Sequence, residues 1–369
     1  MKGIVDPERA VGSSLFGGAF SFPVMVAHRS ALEHNITTLA VFAQQHGLIL
    51  VPHAKTTMSP ELIRAQLDAG AWGLTVATPS QALTLREFGV SRIILGNQVF
   101  DPAGLDAIAA RLAEDPSFEF LCFVDSVAGV ETLSAHAGAR PFQVLAELGH
   151  DGGRGGSRTL TEFLEVASAA QAADGVELVG VAGYEGALGS AAEVRIYLHR
   201  LLEALEHLRV RNPILSVGGS QWFDVIGREL AACQARVMLR SGAYVSHDDG
   251  YYRERTPYTR IEGELRAALE VWAHVLSIPE PGLAVVGFGK RDAPFDEGLP
   301  VPRGRIADAT VLKVQDQHAV LRLAPDSPVK AGDLVSFGIS HPCTAFDKWR
   351  VMPVVDDDYV VVDLITTYF

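Results

Sequence analysis

From about residue 20 to 240 the chain alternates between two textures of apolar and polar positions. Short, β-rich apolar runs at 48–52, 73–76, 92–95, 118–124, 142–147, 178–182, 214–217 and 235–239 predict strands. Amphipathic stretches between them predict helices, for example over 30–45, 60–69, 79–88 and 191–208. In the last of these, Ile196, Leu198, Leu201, Leu202, Leu205 and Leu208 recur at helical spacing and predict one buried face. Strands alternating with helices imply a parallel sheet with right-handed crossovers. Eight such strands in roughly 220 residues suit a closed (β/α)8 TIM barrel, for which about 250 residues is ordinary. An open doubly wound sheet is the rival, but the glycine-rich dinucleotide fingerprint expected after its first strand is absent.

After about residue 260 the texture changes. Runs at 311–314, 319–323, 334–338, 350–353 and 359–364 predict short strands, with turn residues at 326–328 and 356–358. That is the pattern of an antiparallel β-domain. The expected division is a barrel over residues 1–260, its first twenty or so residues packing with the β-domain, and a C-terminal β-domain over 261–369. The stretch 287–305 is rich in Gly, Pro and Asp and predicts a long ordered loop, a class that is often functional.

Composition adds exclusions. The chain has 369 residues, 48% hydrophobic, which allows a large core. Its net charge is -13 and no dense Lys/Arg cluster is present, which argues against nucleic-acid binding. Three cysteines, Cys122, Cys233 and Cys343, make no secreted disulfide framework and fit a reducing compartment. No signal peptide is recognisable at the start, and the apolar runs stop well short of a membrane span. The expectation is a cytoplasmic protein.

Six motifs carry candidate chemistry. Val51-Pro52-His53-Ala54-Lys55-Thr56 places a lysine just past a predicted strand, and the C-terminal strand ends are where barrels put their chemistry. A partly desolvated lysine can form a Schiff base, although on this motif alone a solvated loop lysine is the better reading. Ser216-Val217-Gly218-Gly219-Ser220 and Ser241-Gly242-Ala243-Tyr244 follow the last two predicted strands, the usual phosphate position in such barrels. Each is otherwise a tight turn. Glu147-Leu148-Gly149-His150-Asp151-Gly152-Gly153-Arg154-Gly155-Gly156 presents one arginine on a glycine-rich loop, or is a flexible surface loop. Tyr184-Glu185-Gly186 could line a cofactor ring or pack the rim. In the β-domain, His341 and Cys343 stand two apart and could share one Zn²⁺, or be a satisfied loop histidine and a small buried hydrophobe.

The order PHAKT, ELGHDGGRGG, GYEG, SVGGS, RSGAYVSHD and SHPC resembles the D-threonine aldolase and D-serine dehydratase family over nearly the whole chain. These are pyridoxal 5′-phosphate (PLP) enzymes of the alanine racemase type, fold type III. The bacterial amino-acid deaminase and D-threonine dehydratase-like members have the look of segments 287–292 and 341–349. The resemblance implies that Lys55 is the Schiff-base lysine and moves the Cα proton. It implies cofactor contacts from His53, Arg154, Tyr184, Gly218, Gly219, Ser220, Gly242 and Tyr244. It implies a divalent metal on His341 and Cys343, zinc first, with manganese or magnesium as alternatives. Where many members carry further histidines, this chain has Met58 and Ala187. The implied activity is a dehydratase of D-3-hydroxy amino acids in a homodimer. D-threonine aldolase, an amino-acid racemase and a non-catalytic PLP-binding protein are the alternatives, with a PLP-free barrel enzyme for phosphorylated substrates as the plainest one.

Overall fold

The computed structural model describes residues 1–369. The chain forms two compact units. One comprises Ala40–Lys55 and Gln66–Gly242, and the other Met1–Leu39, Thr56–Ala65 and Ala243–Phe369. The chain passes between them several times, so a single cut at 260 does not describe it. The first strand, β1 (Val24–His28), explains part of this, because it belongs to the second unit's sheet.

The first unit is built on β2 (Ile49–Leu50), β3 (Leu74–Val76), β4 (Arg92–Leu95), β5 (Glu119–Val124), β6 (Phe142–Glu147), β7 (Val176–Ala182), β8 (Ile214–Val217) and β9 (Arg236–Leu239). All pair in parallel, in the order β2-β9-β8-β7-β6-β5-β4-β3. A parallel bridge between His53 and Thr75, with the Thr75 amide donating to the Pro52 carbonyl at 2.7 Å, joins the two ends of that order. Val51, Ile94, Leu121, Phe123, Leu145, Ala182, Ile214 and Met238 fill the interior, so the barrel is a packed core. At the N-terminal strand ends, Arg92 and Arg236 lie over the Trp72 ring. Thr78, Ser126, Thr159 and Ser190 each cap the helix that follows by accepting an amide three residues on.

The helix predicted over 191–208 is Ala191–Glu206, and its buried face differs from the expected one. Val194, Tyr197, Leu198, Leu201 and Ala204 are buried, whereas Ile196 is 66% exposed. The stripe therefore includes a tyrosine that an apolar count passes over.

In the second unit, β1 pairs antiparallel with β10 (Leu269–Glu280) and parallel with β16 (Val351–Val355). The remaining strands are β11 (Leu283–Val286), β12 (Val301–Pro302), β13 (Thr310–Val314), β14 (Ala319–Arg322), β15 (Leu334–Gly338) and β17 (Val361–Thr366). The five predicted strands of this region are present within a residue or two, but β10 and β11 were not expected. The predicted loop over 287–305 contains β12 and is pinned by Asp292, which is 1% exposed. Asp292 accepts the Gly289 amide and pairs with Lys2 at 2.8 Å, while the Lys2 ammonium also lies 3.8 Å from the Trp349 ring centroid. The N-terminal segment adds Ile4, Ala10, Leu15 and Phe20 to a buried cluster with Val24, Val26, Val355 and Val361. No helix is long and apolar enough to cross a membrane.

Candidate functional site

Lys55 stands at the C-terminal end of β2, in a one-turn 3₁₀ helix, Ala54–Thr56. It is the only lysine in the barrel unit, the others being Lys2, Lys290, Lys313, Lys330 and Lys348. His53, two residues earlier, senses the charges around it. Burial, then Lys55, Arg240 and Arg154, hold its imidazole well below the ordinary histidine range. The ring is therefore neutral at pH 7, among three cations. His53 Nδ1 is buried with no hydrogen-bond partner, although part of the residue remains accessible. An orphaned nitrogen surrounded by a lysine and two arginines fits an anionic, hydrogen-bonding cofactor such as PLP.

Arg154 is exposed, with its guanidinium 5.4 Å from the Tyr184 ring centroid. Its glycine-rich loop is not slack. The Arg158 guanidinium donates to the carbonyls of Gly153, Gly155 and Gly156 at 2.6–2.8 Å, and the Gly156 amide donates to Asp125 at 2.8 Å. Gly156 has φ +88, and an added Cβ would meet the Gly149 amide nitrogen at 2.3 Å, so the loop needs glycine there. Tyr184 is held from behind: its amide donates to the Tyr197 hydroxyl at 3.1 Å, and that hydroxyl donates to the Leu148 carbonyl. Glu147 at the end of β6 is nearly buried, which pushes its carboxyl up.

Gly218, Gly219 and Ser220 follow β8, and Gly242 follows β9, as predicted. The amides of Gly218 and Gly219 donate to the Glu185 carboxylate at 3.0 and 2.8 Å. Arg240 is a buried guanidinium that the sequence reading did not single out. It donates to Ser216 Oγ and to the Gly183 carbonyl, both at 2.7 Å. Lys55, His53, Arg154, Tyr184, Gly218, Gly219, Ser220 and Gly242 thus share one unit and one set of strand ends. Tyr244 lies in the other unit, 1% exposed.

His341 and Cys343 also belong to that second unit, in the turn after β15. His341 Nδ1 lies 2.8 Å from Asp296 Oδ2, and the Thr344 hydroxyl donates to Asp296 Oδ1 at 2.9 Å. The Thr56 hydroxyl points at Cys343 Sγ, 3.7 Å away. Burial opposes a charge on His341, but Cys343 and Asp296 outweigh it and raise the imidazole to about 9. Nowhere do three or more His, Cys, Asp or Glu side chains gather in a metal-binding group. The donor set is thus one imidazole and one thiol, one short of the three protein ligands usual for catalytic zinc, so a divalent metal held there would fill its other positions with water or substrate. Sequence reasoning missed Asp296, Arg158, Arg240, Glu185 and Tyr197. Asp296 carried a weak signal, standing in the Gly/Pro/Asp-rich stretch, and Glu185 stood inside a quoted motif.

The alanine racemase N-terminal domain profile matches residues 27–244. The chain belongs to the alanine racemase N-terminal domain family. Beyond that domain, the serine dehydratase domain profile matches residues 268–355. This family member is 27% identical to the 3-hydroxy-D-aspartate aldolase of Paracoccus denitrificans, over 89% of the chain and 87% of the relative. Its structure superposes on D-threonine aldolase from Filomicrobium marinum with TM-score 0.84 at 24% identity, covering 95% of each chain. It superposes on D-threo-3-hydroxyaspartate dehydratase from Delftia with TM-score 0.75 at 22% identity, covering 94% and 97%. That dehydratase has also been solved with a histidine and, two positions on, a cysteine replaced by alanine, the cysteine mutant in a metal-free form.

Proposed function

We propose that the chain is a PLP-dependent lyase acting on D-3-hydroxy amino acids, and that it works as a dehydratase, giving a 2-oxo acid and ammonia. The observation that carries the PLP reading is Lys55, the one lysine of the barrel unit, at a strand end beside the neutral, orphaned His53. When bound, PLP supplies an electron sink for negative charge at Cα. Lys55 would hold the cofactor and, once the substrate's amine displaces it, would be free to take the Cα proton. His53 would meet the cofactor with a neutral ring, and Tyr184 and Arg154 would line its edge. Ser220, Gly242 and Tyr244 would serve its phosphate, with the Gly218–Gly219 turn shaping the loop that presents Ser220.

His341 and Cys343 are the residues that would hold a divalent metal, zinc first, which supplies Lewis acidity toward a β-hydroxyl. The His-x-Cys spacing favours dehydration, because the Delftia dehydratase has its mutated histidine and cysteine at that spacing. A second reading, retro-aldol cleavage, is favoured by whole-chain similarity to the Paracoccus aldolase. The chain supplied with PLP and Zn²⁺ is offered D-threonine, D-serine and 3-hydroxy-D-aspartate, with and without a chelator. Chelator-sensitive release of 2-oxobutyrate and ammonia from D-threonine is expected. Glycine and acetaldehyde would replace the dehydratase reading with the aldolase one, and no turnover of any of the three would sink both. The family resemblance also implies a homodimer, which light scattering checks as twice the chain's 39.6 kDa.

A further inference from the structure

The loop after β8 is tied to the loop after β7 by one buried side chain, and to the loop after β9 by that loop's own donors. Glu185 is 0% exposed. Its Oε2 accepts the Gly218 amide at 3.0 Å and its Oε1 accepts the Gly219 amide at 2.8 Å. The carbonyls of the same two glycines are held from the other side. The Arg240 amide donates to the Gly218 carbonyl at 3.2 Å, and the Ser241 hydroxyl donates to the Gly219 carbonyl at 2.7 Å. The turn itself demands glycine: Gly218 has φ +103, and a Cβ there would meet Leu239 at 2.3 Å. A desolvated carboxylate needs donors and a counter-charge. The two amides and the buried Arg240 guanidinium supply them.

Consecutive glycine amides that converge on one point ordinarily form an anion cradle. Here a carboxylate of the chain itself fills that cradle. We propose that Glu185 is a positioning residue for the cofactor's phosphate. It locks the Gly218–Gly219 turn, so the phosphate is received by the donors that follow, at Ser220 and Gly242, and not by the two glycine amides. Its negative charge also keeps a phosphate from sliding onto those amides. The inference rests on the PLP reading above.

The test uses the full chain freed of cofactor and titrated with PLP and, separately, with pyridoxal, which lacks the phosphate. Binding is read from the absorbance of the bound ligand. Glu185→Gln keeps the shape but offers one acceptor and one amide donor, so one glycine amide loses its partner. We expect the PLP dissociation constant to rise about tenfold or more, the scale of one hydrogen bond to a charged group. Pyridoxal binding should change by less than about twofold. Ser241→Ala, which frees only the Gly219 carbonyl, should show the same phosphate-specific loss at smaller size, and it carries the test if Glu185→Gln does not fold. Equal weakening of both ligands would mean that Glu185 merely supports the fold, and would overturn the inference. So would unchanged PLP binding in both variants. A wild-type chain that binds neither ligand would overturn the PLP reading, and this inference with it.

Discussion

If His341 holds a metal as proposed, Asp296 sets which ring nitrogen it offers. Its carboxylate engages Nδ1 at 2.8 Å, which leaves Nε2 as the ring nitrogen for coordination. Such outer partners commonly tune metal affinity 10–100-fold. Asp296→Asn is therefore predicted to weaken Zn²⁺ binding by about 10–100-fold, measured by competition with a chromophoric chelator. Unchanged affinity would remove Asp296 from the site. Lys55, His341 and Cys343 could be singled out as candidates because each sits in a short local motif whose residue types suit one chemistry. Asp296, Arg158 and Arg240 were not, because their roles come from partners brought close only by folding. Nothing in the sequence sets Arg158 apart from a surface arginine; its three carbonyl contacts do.

The barrel strands were readable because each is a short apolar run between helices, the expected pattern of a sheet covered on its outer face. β10 was not. It begins within Glu264-Leu265-Arg266-Ala267-Ala268-Leu269-Glu270, a run of strong helix formers. Pairing with β1, β11 and β15 overrides that preference. The helix Ala191–Glu206 shows a second limit of periodicity. Tyr197 holds a core position on it because its hydroxyl bridges the loops after β6 and β7. Tyr197→Phe is predicted to leave the Tyr184 amide and the Leu148 carbonyl unpaired. The expected cost is about 1–3 kcal/mol in denaturant unfolding. A loss near zero would mean that these groups find other partners.

At the scale of the molecule, the β-domain sheet is held at its centre by Glu270, 3% exposed. One carboxylate oxygen meets His28 Nε2 at 3.0 Å, Trp272 Nε1 at 3.0 Å and the Tyr359 hydroxyl at 2.9 Å. Burial alone would raise this carboxyl, but His28, Ser336 and Arg303 outweigh it and hold it below the ordinary value. A carboxyl depressed in the folded state stabilises the fold above its unfolded pKa and loses that contribution as pH falls through the folded one. Glu270→Gln should thus lower the melting temperature at pH 7, and the gap from wild type should close below about pH 4. A gap that is constant with pH would mean that packing and not charge is lost. The barrel and its antiparallel companion were legible as a fold class from the alternation of textures. The passage of the chain between the two units was not, because nothing local marks β1 as a strand of the second sheet. The most direct measurement of the central claim is borohydride reduction of the chain with PLP, followed by peptide mapping. The account predicts a stable pyridoxyl group on Lys55 alone. A chain that stays unmodified, or one labelled at another lysine instead, would contradict it.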